Sequence, residues 1–350
     1  MPKYWKITNR ALVDGVPSSG DQGPCTYWVS DAGPLDLPAN WTKVSGHQFK
    51  ILLLAAADAF PTTSHADNEN QNHVTFFIHG YNNGWEDAAR RYEKLCGDLF
   101  LGADGMGLCV SFDWPSRGSV LGYLPDRDHA RACAGDLADV LSEVYDWLLK
   151  KQADVQKNLS SDQAVIEESC KAKVSVIAHS MGNYVTQRAL SRVWTRKNQP
   201  LMVSLVNQLV MVAADVDNDL FEPNSSDGTD GNGVANLTYR VTSLFSGRDA
   251  VLGASAGLKH FGTRRLGRSG LTARTPAGKD NVWDIDCSHF FAASVAAFSI
   301  HSAYFETPEV VSLMGDVLCG VDRTVLENLG RTTSSNWLTS MAAPNPIPAG

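Results

Sequence analysis

The segment from Val174 to Val185 constrains the fold more than any other stretch of the chain. It reads V-S-V-I-A-H-S-M-G-N-Y-V, in which a β-branched apolar run stops at a turn and apolar residues then recur at helical spacing. This order predicts a strand, a sharp turn and a helix. Ala178 and Gly182 are small residues two places before and two places after Ser180, so the backbone can bend tightly and expose the hydroxyl. Ser180 is therefore the candidate nucleophile.

The elbow motif by itself does not show whether Ser180 is a catalytic nucleophile or a buried structural serine. Its common form is Gly-x-Ser-x-Gly, and Ala178 stands in place of the first glycine. A buried serine at a junction of strand and helix would give the same short pattern. Partner residues elsewhere in the chain must therefore decide whether Ser180 is catalytic.

A second strand also ends in a glycine turn. Val74 to Ile78 is strongly apolar, and His79, Gly80 and Tyr81 follow it directly. The backbone at Gly80 can approach a ligand closely, and the next amide, that of Tyr81, is placed to donate to a developing oxyanion. The site that binds this oxyanion, the oxyanion hole, combines an amide from an earlier loop with the amide of the residue after the nucleophile. Here that residue is Met181.

One acid and two histidines are candidates for the remaining catalytic roles. Asp249 follows an alternating strand pattern from Leu237 to Phe245, a position suited to a carboxylate that orients a histidine. The alternative is an aspartate that merely caps a turn. For the base, His289 lies just past a short predicted strand, and His301 lies farther on. Spacing alone slightly favours His289.

The pattern of elements predicts an α/β fold with a mostly parallel central sheet and helices on both faces. Strands alternate with helices from Val74 onward, and the interesting residues follow strand ends. We expect residues 71–330 to form this domain. Residues 1–70 are rich in Gly, Pro and Asp near their start and are predicted to be an irregular extension packed on the core. Residues 331–350 are predicted to be a tail.

The net charge and the cysteine content indicate which kinds of partner and which cellular compartment to expect. The formal net charge of −8 opposes binding to nucleic acid, which depends on Lys and Arg. The seven cysteines show no CxxC spacing, as expected for free thiols in a reducing compartment. The residues after Met1 predict no leader peptide, and the longest apolar run is too short to cross a bilayer, so we expect a cytoplasmic protein with a small-molecule partner. The sequence leaves the oligomeric state open.

Two polar segments could in principle bind a metal. His65 and Asp67 lie in a polar loop before His73, but loop side chains of this kind usually face solvent. The acids that begin at Asp215 alternate as in a calcium loop, yet Ser226 occupies the twelfth position, where glutamate is expected. We therefore expect neither a metal nor an organic cofactor.

Four segments resemble a family of largely uncharacterised bacterial α/β-hydrolases with esterase/lipase-like sequences. They are F-F-I-H-G-Y-N-N-G-W-E-D-A-A-R-R from Phe76, F-D-W-P-S-R-G-S-V-L-G-Y-L-P-D-R from Phe112, V-I-A-H-S-M-G-N from Val176 and S-G-R-D-A-V-L-G-A-S from Ser246. The resemblance covers roughly Val74 to Phe305 and implies the α/β-hydrolase fold.

The resemblance also changes the assignment of the site. The family's elbow often reads Ala-His-Ser-Met-Gly, so Ala178 is an expected residue there. Its triad corresponds to Ser180, Asp249 and the histidine of H-S-A-Y-F, which is His301. The preference for the base therefore moves from His289 to His301.

The expected function is a serine hydrolase that cleaves carboxylic esters through an acyl-enzyme on Ser180. Residues beside the predicted site are candidates for substrate contacts, although aromatic residues near a sheet are often plain core: His79, Gly80, Trp85, Trp114, Tyr123 and Phe245. Alternatives are the same fold acting on amides, thioesters or lactones or as an acyltransferase, and a non-catalytic binding protein. A cysteine enzyme built on Cys287 with His289 is a remote third.

Overall fold

A twisted sheet, parallel over most of its width, organises the computed structural model. The structure describes residues 1–58, 73–102, 105–116, 123–158, 173–196, 204–259 and 262–332. Within these ranges the sheet has nine strands in the order β3-β2-β1-β5-β4-β6-β7-β8-β9. Their bounds are β1 (Tyr4–Val13), β2 (Val16–Ser30), β3 (Thr42–Val44), β4 (His73–Ile78), β5 (Gly107–Asp113), β6 (Lys173–His179), β7 (Val206–Val212), β8 (Thr238–Phe245) and β9 (Val282–Asp286).

Helices cover both faces of the sheet. The helices of the described residues are α1 (Gly46–Asp58), α2 (Trp85–Leu99), α3 (Tyr123–Asn158), α4 (Gly182–Arg196), α5 (Gly228–Leu237), α6 (Ala250–Ala254), α7 (Leu266–Ser269), α8 (Ile300–Ala303), α9 (Pro308–Leu318) and α10 (Arg323–Asn328). Helices α1, α3, α4 and α5 pack on one face, and α2, α9 and α10 pack on the other. The central strands β4, β6 and β7 are rich in apolar residues because helices cover both of their faces.

Two separate hydrophobic cores follow from the alternation of side chains along each strand. In β4, Phe76 belongs to the core under α3 and α4, whereas its neighbour Phe77 belongs to the core under α2 and α9. Val176 and Ile177 divide in the same way in β6. The predicted α/β architecture, mostly parallel with helices on both faces, is confirmed.

The prediction of an irregular segment before the core is wrong for its first residues. β1 and β2 form a hairpin closed by Asp14 and Gly15, which both have positive φ, of 52° and 80°. β1 also pairs in parallel with β5, so Trp5 becomes completely buried. The register between β1 and β2 shifts twice along β1, as it does at bulges. The many Gly and Pro residues of this segment belong to the hairpin and these irregularities. The N-terminal strands thus extend the central sheet.

The Pro223 to Gly233 segment, whose glycine, serine and asparagine content is typical of a flexible loop, is partly helical. Its second half enters α5, and glycines there let neighbouring backbones approach. A side chain at Gly231 would meet the Leu220 carbonyl oxygen at 2.0 Å. Composition suggested a loop because it could not reveal that close packing requires these glycines.

Several predicted segments lie outside the described residues. They include the polar loop with His65 and Asp67 and residues 333–350 of the predicted tail. Across the ranges that the structure does describe, no helix has both the length and the apolarity needed to span a bilayer.

Candidate active site

Ser180 lies at a strained turn between β6 and α4. Its φ is +52°, a left-handed conformation that non-glycine residues seldom adopt. Backbone hydrogen bonds hold the turn, because the Ser180 amide donates to the Val212 carbonyl at 3.0 Å and the Asp215 amide donates to the Ser180 carbonyl at 3.1 Å. The neighbouring strand β7 therefore maintains the conformation that lifts the serine out of the sheet.

The small residues around Ser180 allow β4 and α4 to meet. A Cβ atom on Gly182 would lie 2.5 Å from the Ile78 carbonyl oxygen, and one on Gly80 would lie 2.7 Å from the Ser180 Cβ. Glycine is therefore required at both positions. Ala178 is still within β6, paired in register with Ile78, and comes before the residue with positive φ. This explains why alanine is tolerated there.

Ser180, His301 and Asp249 form a continuous chain of hydrogen bonds. His301 Nε2 lies 2.8 Å from Ser180 Oγ, and His301 Nδ1 lies 2.7 Å from Asp249 Oδ2. Because a carboxylate accepts, Nδ1 donates to Asp249 and Nε2 is left to accept the serine proton. Asp249 is completely buried, whereas 11% of the His301 side chain is exposed. The imidazole thus lies between a buried acid and a hydroxyl that it can deprotonate.

Asp249 contacts both kinds of partner that its sequence position suggested, a helix N-terminus and a histidine. Its Oδ1 accepts from the Leu252 amide at 3.0 Å, which caps the N-terminus of α6. Its other oxygen, Oδ2, binds His301. The hydrogen bond from Leu252 to Oδ1 fixes the rotamer of the carboxylate, and this rotamer places Oδ2 beside His301.

The structure places the competing candidates away from this chain of hydrogen bonds. His289 is exposed and its ring packs on Phe290, with the centroids 4.0 Å apart. Cys287 is completely buried, and burial raises the pKa of its thiol well above the ordinary value. The slight preference for His289 from spacing is wrong, because the fold brings His301 to Ser180.

The loop after β4 lies directly against the serine. The Gly80 carbonyl oxygen accepts from Asn83 Nδ2 and lies at the same 2.9 Å distance from His79 Nδ1. In a trans peptide the N–H points in the direction opposite to the C=O. Because the Gly80 carbonyl points toward Asn83 and His79, the Tyr81 N–H points away from them. Asn183 Nδ2 similarly donates to the Ser180 carbonyl at 3.2 Å, in the peptide that carries the Met181 amide.

Neither asparagine was among the residues predicted from the sequence. Asn83 and Asn183 are both buried, and each forms hydrogen bonds with backbone carbonyls of a glycine turn. The signal that could have identified them is the same for both: an asparagine two or three residues beyond the turn residue, where its amide can cap the loop.

Some predicted substrate contacts belong to the core instead. His79 is buried, stacks on Trp114 with the centroids 5.3 Å apart, and lies 3.1 Å from Asp113 through Nε2. Trp114 is also buried and donates to the His79 carbonyl at 2.8 Å. Both residues therefore support the loop from below.

A buried charge network lies beneath the same loop. Arg10, from β1, lies 2.9 Å from Asp113 and also donates to the Asn83 carbonyl at 3.2 Å. Burial by itself would raise the Asp113 pKa, but the charge of Arg10, the hydrogen bond from His79 and the charge of Lys6 hold it below its usual range. The unpredicted strand β1 thus contributes a cation that supports the loop.

Trp85, Phe245 and Tyr123 are also buried core residues, and Tyr123 contacts the loop after β4. Trp85 lies under Lys6, whose Nζ is 3.2 Å from the ring centroid, and Phe245 is almost completely buried. Tyr123 packs edge-on against Tyr81 at 5.4 Å. Of the six predicted contact residues, Gly80 lies in the predicted oxyanion loop and Tyr123 packs against it.

The acids at the end of β7 pair with a buried arginine. Asp215 lies 2.8 Å from Arg265 Nε, and Asp217 contacts the same guanidinium. Tyr123 and Ser255 also donate to Asp215, at 2.8 and 3.0 Å. In the described ranges, no group of three or more His, Cys, Asp or Glu side chains gathers as metal ligands would.

The fold and the site place the protein among the α/β hydrolases. The model of one family, described as alpha/beta hydrolase of unknown function (DUF900), matches residues 56–317. This chain belongs to that family. A comparison with curated proteins finds no match.

Proposed function

We propose that the protein is a serine hydrolase that cleaves carboxylic esters through an acyl-enzyme on Ser180. One observation carries the proposal: a single imidazole bridges the serine hydroxyl at 2.8 Å and a buried carboxylate at 2.7 Å. Membership of an α/β-hydrolase family supports the same class of reaction.

In the acylation step, Ser180 Oγ attacks the acyl carbon while His301 Nε2 takes the hydroxyl proton. Asp249 keeps the imidazole in the reactive tautomer and stabilises its positive charge. The amides of Tyr81 and Met181 stabilise the negative charge on the acyl oxygen, and each donor of this kind contributes about 10²–10³ in turnover. His301 then returns the proton to the leaving alcohol as the ester bond breaks.

In the deacylation step, water attacks the acyl-enzyme. His301 takes a proton from the water, and the new tetrahedral intermediate uses the same two amides. Collapse of the intermediate releases the carboxylic acid, and the proton returns to Ser180 Oγ. The residues of this chain provide every proton transfer in the cycle.

A panel of p-nitrophenyl esters of graded acyl length tests the proposal. We expect turnover by the full-length protein and stoichiometric labelling of Ser180 by a fluorophosphonate. Replacement of Ser180 by alanine should lower turnover by roughly 10⁶ without loss of fold, as removal of a triad nucleophile does. A folded protein that neither turns over any ester nor reacts with the fluorophosphonate would support a binding role instead.

Matched substrates separate the related reactions. The same acyl group offered as an ester, an amide, a thioester and a lactone gives a ratio of kcat/KM values for each bond type. Addition of a competing alcohol, followed by product analysis, distinguishes hydrolysis from acyl transfer. The proposal expects the open-chain ester to have the highest kcat/KM and the free acid to be the main product.

A further inference from the structure

His179, the residue before the serine, links the elbow to the main chain of His301. It is the last residue of β6 and is almost completely buried. Its Nε2 lies 2.9 Å from the His301 carbonyl oxygen, and its Nδ1 lies 3.1 Å from Nη1 of Arg91 in α2. The His179 and His301 rings also touch, with the centroids 4.9 Å apart.

These two contacts determine the protonation state of His179. A guanidinium can only donate, so Nδ1 of His179 must accept from Arg91. A neutral imidazole that accepts at Nδ1 carries its proton on Nε2, where the partner is a carbonyl oxygen, which can only accept. One tautomer therefore satisfies both contacts, and neither the other tautomer nor the cation does.

The surroundings favour this neutral form. Burial, followed by the charges of Arg91 and His301, lowers the pKa of His179 well below its ordinary value. His79, from the loop after β4, also contributes in this direction. Arg91 Nη2 donates to Ser302 Oγ at 3.2 Å, its guanidinium lies 5.5 Å from the Phe305 ring centroid, and the charges of Asp87 and Glu306 act on it.

The segment that carries His301 has little regular structure of its own. α8 has four residues, and its N-cap, Ser299, makes no side-chain capping bond. The residues before it, from Ala296 to Ser299, are exposed. A helix this short gains little stability from its own hydrogen bonds. The position of His301 therefore depends on contacts with other elements.

We propose that His179 and Arg91 are positioning residues for His301, with Arg91 selecting the tautomer of His179 and His179 holding the His301 main chain. The inference rests on the proposed function, because it assigns these residues to the geometry of the general base. Neither residue contacts the serine hydroxyl, so both act through His301. Misplacement of a catalytic group by about 1 Å can cost on the order of 10² in rate.

The tautomer can be measured without any substrate. Nitrogen chemical shifts of ¹⁵N-histidine-labelled protein should assign His179 as neutral with its proton on Nε2, using the His179→Gln variant to identify the signal. In Arg91→Met the donor to Nδ1 is lost while the His301 carbonyl still favours a proton on Nε2, so we expect the other tautomer to appear as a minor population. Arg90→Met is the matched control because Arg90 is exposed and pairs with Asp36 and Asp87. A proton on Nδ1 of His179 in the wild type would overturn the proposal.

Kinetics test the consequence for His301. His179→Phe removes the donor to the His301 carbonyl, whereas His179→Gln keeps an amide N–H at the same number of bonds from Cα. We expect His179→Phe to lower kcat and the rate of fluorophosphonate labelling by about 10–100-fold with little change in KM. His179→Gln should recover most of that loss. His289→Gln, the same chemical change at an exposed histidine, should have no effect.

The outcomes separate this proposal from the proposed function. If the wild type reacts with neither esters nor the fluorophosphonate, the proposed function fails. If the wild type is active and folded His179→Phe and Arg91→Met variants keep rates within about twofold of it, the positioning role fails while the function stands. If His179→Phe does not fold, the comparison of Arg91→Met with Arg91→Lys tests the positioning role instead. The lysine restores a cationic donor, so Arg91→Lys should recover part of the activity that Arg91→Met loses.

Discussion

Asn83 and Asn183 hold equivalent peptides on two different loops. Asn83 Nδ2 donates to the carbonyl of Gly80 and Asn183 Nδ2 donates to the carbonyl of Ser180, in the peptides that precede Tyr81 and Met181. Each asparagine thus turns one peptide so that its amide points away from the carbonyl contact. Two separate turns of the chain use the same device to orient the two amides that we assign to the oxyanion.

The asparagines should therefore affect the transition state more than substrate binding. We expect Asn83→Ala to lower kcat by roughly tenfold or more with KM nearly unchanged, because the donor it positions acts on charge that develops during the reaction. Steady-state kinetics with p-nitrophenyl esters measure this split. Asn236→Ala, at an exposed asparagine that bonds only within its own helix, is the control. A change in KM alone would contradict the assignment.

The identity of the base makes a direct prediction. His301→Ala should abolish labelling of Ser180 by a fluorophosphonate, because no other described ring nitrogen lies within hydrogen-bond distance of the serine hydroxyl. His289→Ala should label at the wild-type rate, since His289 is exposed and packs on Phe290. Intact-protein mass spectrometry over time measures both. The reverse pattern would show that the triad assignment is wrong.

The double role of Asp249 can be separated by two substitutions. Asp249→Asn retains an oxygen to accept from the Leu252 amide but no longer carries the charge opposite His301. We expect a folded protein whose kcat falls by about 10⁴, as in other serine triads that lose the acid. Asp249→Ala also loses the helix cap and should unfold about 1 kcal/mol more easily. Thermal unfolding combined with kinetics separates the two effects, and equal stability of the variants would argue against the cap.

Arg248 anchors the segment that leads to His301. Its guanidinium donates to the carbonyls of Phe291 at 2.6 Å and Ala292 at 3.0 Å. Arg248→Met should therefore increase hydrogen exchange in the segment from Ala292 to Ser299 and reduce kcat, because this segment fixes the start of α8. Exchange followed by mass spectrometry detects the opening. Unchanged protection in a folded variant would show that other contacts suffice.

Asp284 should make the protein less stable at neutral and alkaline pH. Burial raises its pKa to about 7, while the hydrogen bond from the Leu271 amide opposes the shift. Asp284 Oδ1 is buried and has no hydrogen-bond partner among the described residues. Because the folded pKa lies above the unfolded value, the favourable contribution is complete below about pH 4 and is lost as the pH rises through about 7.

Asp284→Asn removes this dependence on pH. The loss in the wild type between pH 4 and pH 8 amounts to at most about 4 kcal/mol, from 1.36 kcal/mol for each pKa unit. We expect the variant to have a larger free energy of unfolding than the wild type at pH 8. At pH 5 the difference between the two proteins should be smaller. Urea unfolding at both values measures the free energies. Asp280→Asn, at an exposed aspartate, should follow the wild type at both pH values.

Local patterns in the sequence predicted much of the fold and its key turns. The apolar run to His179 predicted the strand before the elbow, and the positions of Ala178 and Gly182 predicted the turn. These features depend on residues close together in the chain, where turn chemistry and side-chain periodicity act directly. The alternation of strands and helices from Val74 onward indicated the fold class for the same reason.

The composition of a segment proved a weaker guide than its contacts. Residues rich in glycine and proline before position 30 form β1 and β2, because a hairpin that pairs with β5 tolerates bulges and turns. The aromatic residues Trp85 and Trp114 suggested a pocket but belong to the core, since burial depends on which strand covers them.

The sequence by itself determined a strand, a turn and a helix around Ser180, and an α/β order of elements beyond it. The family resemblance pointed to His301, but only the tertiary structure shows that this residue, 121 residues away from Ser180, reaches its hydroxyl while His289 stays at the surface. The physical reason is that side-chain periodicity and turn chemistry act over a few residues. The 2.8 Å contact, in contrast, depends on how β8, α6 and α8 pack against the end of β6.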